Sequence, residues 1–322
     1  MGFGNYSHEA HVAMTSKRAT AAPAEVFKQS KCHALMNPMG VKFRESRDCE
    51  AHPNSVGIVF ALDVSGSMGN IPRKLATETL PGFMNAMLDS GVPDPQILFM
   101  GIGHADSDSA PLQVGQFEST GTLMDQWLTN MYLEGGGGGG NENYELAMYF
   151  ASRHTVMDCL EKRHRRGYLF ITGDEPPNPV VSRAHIKKVI GDDVDADIPI
   201  GEVIEETQRS FEPFYLIPDP ARGQKVGRAW RDLLGDRVVV MEGPDDTGYV
   251  AAGLVSILEG AVQSLGELVE RLRKAGVSEH QSAAVAKALT PFAASLGKDG
   301  APAPDMADAD LPKGDGPSGN AR

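Results

Sequence analysis

The chain has 322 residues, 41% hydrophobic and 23% charged, which suits one large α/β domain or two smaller ones and argues against wholesale disorder. Its net charge of −13 disfavours electrostatic binding to DNA, RNA or anionic lipid, because such contacts need clustered Lys and Arg. No apolar run approaches the roughly eighteen residues of a transmembrane helix, the start Met1-Gly2-Phe3-Gly4 has neither basic nor apolar signal-peptide character, and three cysteines are too few for a disulfide framework; a reducing cytoplasm with an intracellular partner is expected, and no membrane.

Residues 1–54 have weak periodicity and many polar and turn residues, so they read as an extension packing on a main domain. Cys32, His33, Cys49 and His52 are zinc-ligand types, but their spacing matches no standard zinc module. Ser55–Leu62 is a near-continuous apolar run ending at an acid, the mark of a buried parallel strand. Helical spacing follows from Ile71 to Leu80, and Pro81-Gly82 should end or kink that helix before Phe83–Leu88 resumes it. Gln96–Ile102 is a second buried strand. Asp106 and Asp108 follow it at the same end of the sheet, where they read as a solvated turn or as the rim of a partner surface. Leu112–Phe117 alternates, as an edge strand with one wet face does.

Helical patterns occupy Leu123–Leu133 and Tyr144–His154, separated by the glycine run Gly135–Gly140. Lys162–Arg166 reads as a solvated basic connection at a helix end, leading into the strand Gly167–Thr172. Amphipathic segments near 181–190 and 200–210 flank Asp193, Asp195 and Asp197, which lack the Gly and Glu of a calcium loop and read as an acidic surface turn. Strands Phe214–Ile217 and Arg237–Met241 then alternate with helices at 224–234 and 246–258. Alternating strands and helices imply a doubly wound, mostly parallel α/β sheet with helices on both faces over 55–260. Further helices are expected over 261–296, and 297–322 is an Ala/Pro/Asp/Gly-rich tail with little to bury, expected to be disordered.

The chemistry concentrates in Asp63-Val64-Ser65-Gly66-Ser67-Met68-Gly69, where the first buried strand gives way to a helix. In such a sheet ligands bind in the crevice at the strands' carboxyl ends. A carboxylate and two hydroxyls alternating along one tight loop can present hard oxygens to a small dication such as Mg²⁺, and Gly66 and Gly69 let the backbone close around it. A helix cap needs one such side chain, not three in alternation.

This pattern resembles the metal-ion-dependent adhesion site of von Willebrand factor A domains, whose signature is Asp-x-Ser-x-Ser. The resemblance extends over roughly residues 55–260, with a glycine-rich loop opening into Asn141-Glu142-Asn143-Tyr144 and a strand ending in Ile171-Thr172-Gly173-Asp174. It implies a metal held by Asp63, Ser65 and Ser67, with Asp174 acting directly or through water. The family's second loop usually supplies a Thr; matching Ala147-Met148 to the family's helix puts Glu142 there, with Asn141 and Asn143 as second choices. A ligating Glu142 would make the metal less electrophilic and a bound partner carboxylate weaker.

The resemblance further implies a non-enzymatic, Mg²⁺-dependent (Mn²⁺ or Ca²⁺ as alternatives) protein-binding module of the intracellular bacterial type. It would grip an acidic residue of a partner, in the setting of adaptors for MoxR-type AAA+ ATPases or chaperone-like complexes, with Glu175 joining Asp106 and Asp108 on the rim. Two other readings stay open: a metal-dependent hydrolase or phosphotransferase drawing its base from Glu142, Glu145, Glu175 or His104, and an ion that merely fastens three loops together.

Overall fold

A run of nine residues with no polar face has one stable home in an α/β protein, a strand covered on both sides, and Ser55–Asp63 is such a strand with every residue buried. The computed structural model describes residues 6–19, 21–135 and 141–297. Most of the glycine run, and the tail expected to be disordered from 298 on, lie outside the described residues. In chain order the described strands are β1 (Arg44–Ser46), β2 (Ser55–Asp63), β3 (Asp94–Ile102), β4 (Leu112–Val114), β5 (Thr155–Met157), β6 (Gly167–Thr172), β7 (Val180–Val181), β8 (Ile198–Pro199), β9 (Phe211–Ile217) and β10 (Val238–Val240).

Six of them form the central sheet in the order β10-β9-β6-β2-β3-β4, parallel throughout except for β4 at one edge. The chain therefore builds outward from β2 to one edge and then returns to β2's other side with β6. The reversal lies between β2 and β6, whose carboxyl ends are level because Leu62 sits opposite Thr172. Such a switch point leaves a crevice, since the connections leaving the two strands diverge. It brings the loops after Asp63 and Thr172 side by side.

The register also sorts the aromatic residues by face. Phe99, Phe60, Phe170 and Phe214 are in register across four strands and so share one face. Phe60 meets Phe83 of helix Leu80–Leu88 edge to face at 5.0 Å, and Phe214 meets Phe292 of helix Glu279–Ser295 at 5.2 Å. One residue further along β9, Tyr215 points the other way. It stacks on Trp230 of helix Pro220–Leu234 at 3.9 Å and meets Tyr144 of helix Tyr144–Arg153 edge-on at 5.4 Å. Aromatic pairs in these geometries add to the burial of their large apolar area.

The segments before β2 touch the sheet's helices and edge. Tyr6 donates to the carbonyl of Pro81, Arg18 of helix His8–Ala19 pairs with the buried Asp125, and β1 pairs with β5. Helices Leu265–Lys274 and Glu279–Ser295 pack against each other and against Thr247–Leu258, where Gly253 admits Leu268 and Leu289. No described helix is long and apolar enough to cross a membrane.

One local expectation is made specific and two are corrected. The regular helix is interrupted just before Pro81: a wide π-type turn at Leu75–Thr79 separates Asn70–Lys74 from Leu80–Leu88 and places the proline, which has no N–H to donate, in the first turn of the last segment. The edge strand has no wet face, and all three residues of β4 are buried. Arg44 donates to the Val114 carbonyl, and the Gln113 amide both donates to and accepts from the Tyr132 backbone, so flanking chain covers the edge. The basic run is ion-paired rather than merely solvated: Arg163 binds Asp48 at 2.7 Å, Lys162 binds Asp158 at 2.7 Å, and Arg165 and Arg166 pair with Glu259 and Glu212.

Candidate metal centre

β2 carries Asp63 to its carboxyl end fully buried, and the chain then turns tightly, with the amides of Met68 and Gly69 donating to the Ser65 carbonyl at 3.1 and 2.8 Å. Asp63 Oδ1 accepts the Ser65 N–H at 2.8 Å and Oδ2 accepts the Tyr144 hydroxyl at 2.7 Å. The Ser65 and Ser67 hydroxyls lie 3.3 Å apart, so both point the same way. Alternating positions along a loop in this conformation thus become neighbours in space.

Two further loops deliver acids to the same place. Ligand oxygens of Asp63, Glu142 and Asp174 all lie within 4.8 Å of one another, and all three residues are buried. Glu142 Oε2 and Asp174 Oδ1 have no hydrogen-bond partner. Buried carboxylate oxygens without donors are costly, and three carboxylates facing one point repel each other. Burial pushes the Asp63 carboxyl up to about 6, with the charge of Asp174 adding to it against the Ser65 and Tyr144 hydrogen bonds. Burial likewise pushes Glu142 up to about 7, followed by the charge of Asp63. Hard oxygens, convergence and two orphaned buried acceptors together fit a small divalent cation.

The other sequence candidates fall elsewhere. Asn143 is not turned to the trio: its Oδ1 accepts the Ala105 N–H at 2.6 Å and its Nδ2 donates to Glu145 at 2.6 Å. Asn141 lines a neighbouring polar cleft of about 190 Å³ with His104, Asp106, Asn178 and His185. Asp106 is exposed beside that cleft and pairs with His185 at 3.0 Å. Asp108 closes its own turn, accepting the His104 N–H at 2.9 Å. Glu175 sits beside Asp174 and pairs with Lys225 at 3.0 Å. Glu145 is buried and takes hydrogen bonds from Asn143 and Asn178. Among the described residues the trio is the single grouping of three His, Cys, Asp or Glu side chains with ligand spacing, so Cys32, His33, Cys49 and His52 assemble no zinc cluster.

Two residues at the site escape a reading of the sequence. Tyr144, fully buried, donates to Asp63 and receives the Asp174 and Glu175 amides at 3.3 and 3.4 Å, tying two of the loops together. Its helical spacing marks it only as core. Gly173 makes this approach feasible, because a Cβ there would meet the Tyr144 ring and the Tyr215 hydroxyl. The second is Arg222, whose Nε lies 3.0 Å from Asp174 Oδ2; no motif announces it. Tyr144→Phe removes a donor to a buried carboxylate, and chelator-treated protein should lose roughly 1–3 kcal/mol of stability in urea unfolding. An unchanged midpoint and slope would show that the phenol does not hold Asp63.

No protein-family model matches the chain, and no curated protein matches it. Among solved structures, the pilus adhesin SpaC from Lactobacillus rhamnosus GG in its open conformation is similar over 66% of this chain and 31% of its own, at 13% identity and a TM-score of 0.43. Proximal thread matrix protein 1 from the mussel byssus is similar over 67% of this chain and 49% of its own, at 10% identity and a TM-score of 0.41. The chain thus spans less than half the length of either, and neither likeness bears on the chemistry of the site.

Proposed function

We propose that the chain is a von Willebrand factor A-type module that holds a divalent cation, Mg²⁺ in the first instance, and through it grips an acidic residue of a partner protein. The observation that carries this reading is the meeting of Asp63, Glu142 and Asp174 at a switch point of the sheet, two of their buried oxygens lacking any donor. Asp63, Ser65, Ser67 and Glu142 would hold the ion, and Asp174 would do so directly or through water. Six-coordinate Mg²⁺ rarely takes all its ligands from protein, which leaves a position for a partner's oxygen. The sheet order, with helices Leu80–Leu88 and Pro220–Leu234 against opposite faces, supports a doubly wound fold for 55–260. A non-enzymatic adaptor role in the cytoplasm, with a MoxR-type AAA+ ATPase or chaperone-like complex as the partner, completes the proposal.

Affinity purification of the tagged chain from its native cells, in Mg²⁺ and in chelator, tests it. The same partners should be lost on chelation and on Asp63→Ala. Partners retained under both conditions would sink the metal-dependent grip.

A further inference from the structure

We infer that Arg222 is the counter-charge that allows a site with three carboxylates to accept an anionic oxygen ligand from a partner. The inference rests on the metal reading above and specifies the class of ligand the site takes. Arg222 stands in the first turn of helix Pro220–Leu234, where Asp219 caps the helix by accepting the Arg222 N–H at 2.9 Å. From there the guanidinium spans two of the site's loops. Nε pairs with Asp174 Oδ2 at 3.0 Å, and Nη2 donates to the Ser67 carbonyl at 3.3 Å. It thereby occupies Asp174 Oδ2, while the buried Oδ1 has no partner.

Charge counting shows what this contact does. Three carboxylates around a dication leave one negative charge, which repels an incoming carboxylate; a guanidinium on one of the three brings the sum to zero. Of the nearby acids outside the trio, Glu175 pairs with Lys225 at 3.0 Å, while Asp219 shares the Arg222 guanidinium, 3.1 Å from its Nη1, and also sits on the positive end of the helix it caps. With its side chain about one-third exposed, Arg222 also leaves part of its positive charge accessible from solvent. Lys225 lies on the same helix one turn away.

Removing this charge should move two affinities in opposite directions, which a purely structural role would not do. The probes are Mn²⁺ alone, titrated by calorimetry, and acetate titrated onto Mn²⁺-loaded protein and followed by water-proton relaxation. Arg222→Gln is expected to bind Mn²⁺ about tenfold more tightly and acetate about tenfold more weakly, the order for one unit charge several ångströms away in partly solvated protein. Arg222→Gln combined with Glu142→Gln should return both values toward wild type, and Arg222→Lys should stay near wild type in both. If Arg222→Gln weakens Mn²⁺ and acetate together without recovery in the double variant, Arg222 only holds Asp174 in place and the inference is overturned. Wild-type protein that binds no Mn²⁺ would instead overturn the metal reading itself.

Discussion

Asp63→Asn is expected to lower Mn²⁺ affinity by on the order of 100-fold or more and, in the same protein, to raise the stability of the metal-free form at pH 8. The first effect follows because Asp63 brings a buried charge to the point where the trio meets, and loss of mere outer-shell partners already costs about 10–100-fold in metal affinity. The second follows from the repulsion that the absent charge would have caused. Asp63 is fully buried, and its carboxyl stands at about 6 instead of the ordinary 3.8, so ionising it in the folded protein is disfavoured on the order of 2–3 kcal/mol. Asn keeps an oxygen for the Ser65 N–H and removes the charge. Calorimetric Mn²⁺ titration checks the first half, and urea unfolding in chelator at pH 8 checks the second. A metal-free Asn variant less stable than wild type at that pH would show that Asp63 is not electrostatically stressed.

The wild-type protein in chelator should melt at progressively lower temperature as the pH rises from 5 to 8. Asp63 and Glu142 have folded values raised to about 6 and about 7, above their ordinary 3.8 and 4.5. Between those limits the folded state holds protons that the unfolded state has released, so stability falls with pH and the loss is complete above the folded values. For a chain of this size roughly 2–3 kcal/mol corresponds to a fall in Tm of about 3–5 °C. Asp63→Asn should remove much of that slope. Saturating Mg²⁺ should flatten or reverse it, because the ion binds the ionised carboxylates of the folded state only, and about a hundredfold excess over Kd contributes roughly 2.7 kcal/mol. A chelated wild type whose Tm climbs over this range would contradict the raised values. Parallel curves with and without Mg²⁺ would show that no ion binds there.

Much of the site's placement was legible in the residues themselves, because it depends on backbone period and on where strands stop. β2, β3 and β6 announce themselves as apolar runs, since strands covered on both faces cannot contain a polar side. The alternation of Asp63, Ser65 and Ser67 is a local pattern, and the hydroxyls do end up side by side. Glu142 emerged only by aligning a loop with a family pattern; the structure places its carboxylate with those of Asp63 and Asp174, while Asn143 is taken up by Ala105 and Glu145. The alternation of Leu112–Phe117 said nothing about the chain that would cover that edge, and a proline in a helical pattern did not reveal that a widened turn would precede it.

What the tertiary structure alone decided are the contacts between groups far apart in the chain. Tyr144 reaches Asp63 across 81 residues, and Arg222 donates to the Ser67 carbonyl across 155. Periodicity records which face of an element is apolar, not which neighbour the opposite element will present, so a phenol reads as core and an arginine as surface until the sheet order is known. The long strands of the central sheet, the order of the loops and the acids they carry are local features that apolar runs and turns reveal, whereas the short β1, β5, β7 and β8 have no such signal. Only the packing of helices Tyr144–Arg153 and Pro220–Leu234 against one face of the sheet decided which oxygens would be held by a donor and which left bare, because hydrogen-bond geometry is settled by distances of a few tenths of an ångström between parts of the chain that no local pattern relates.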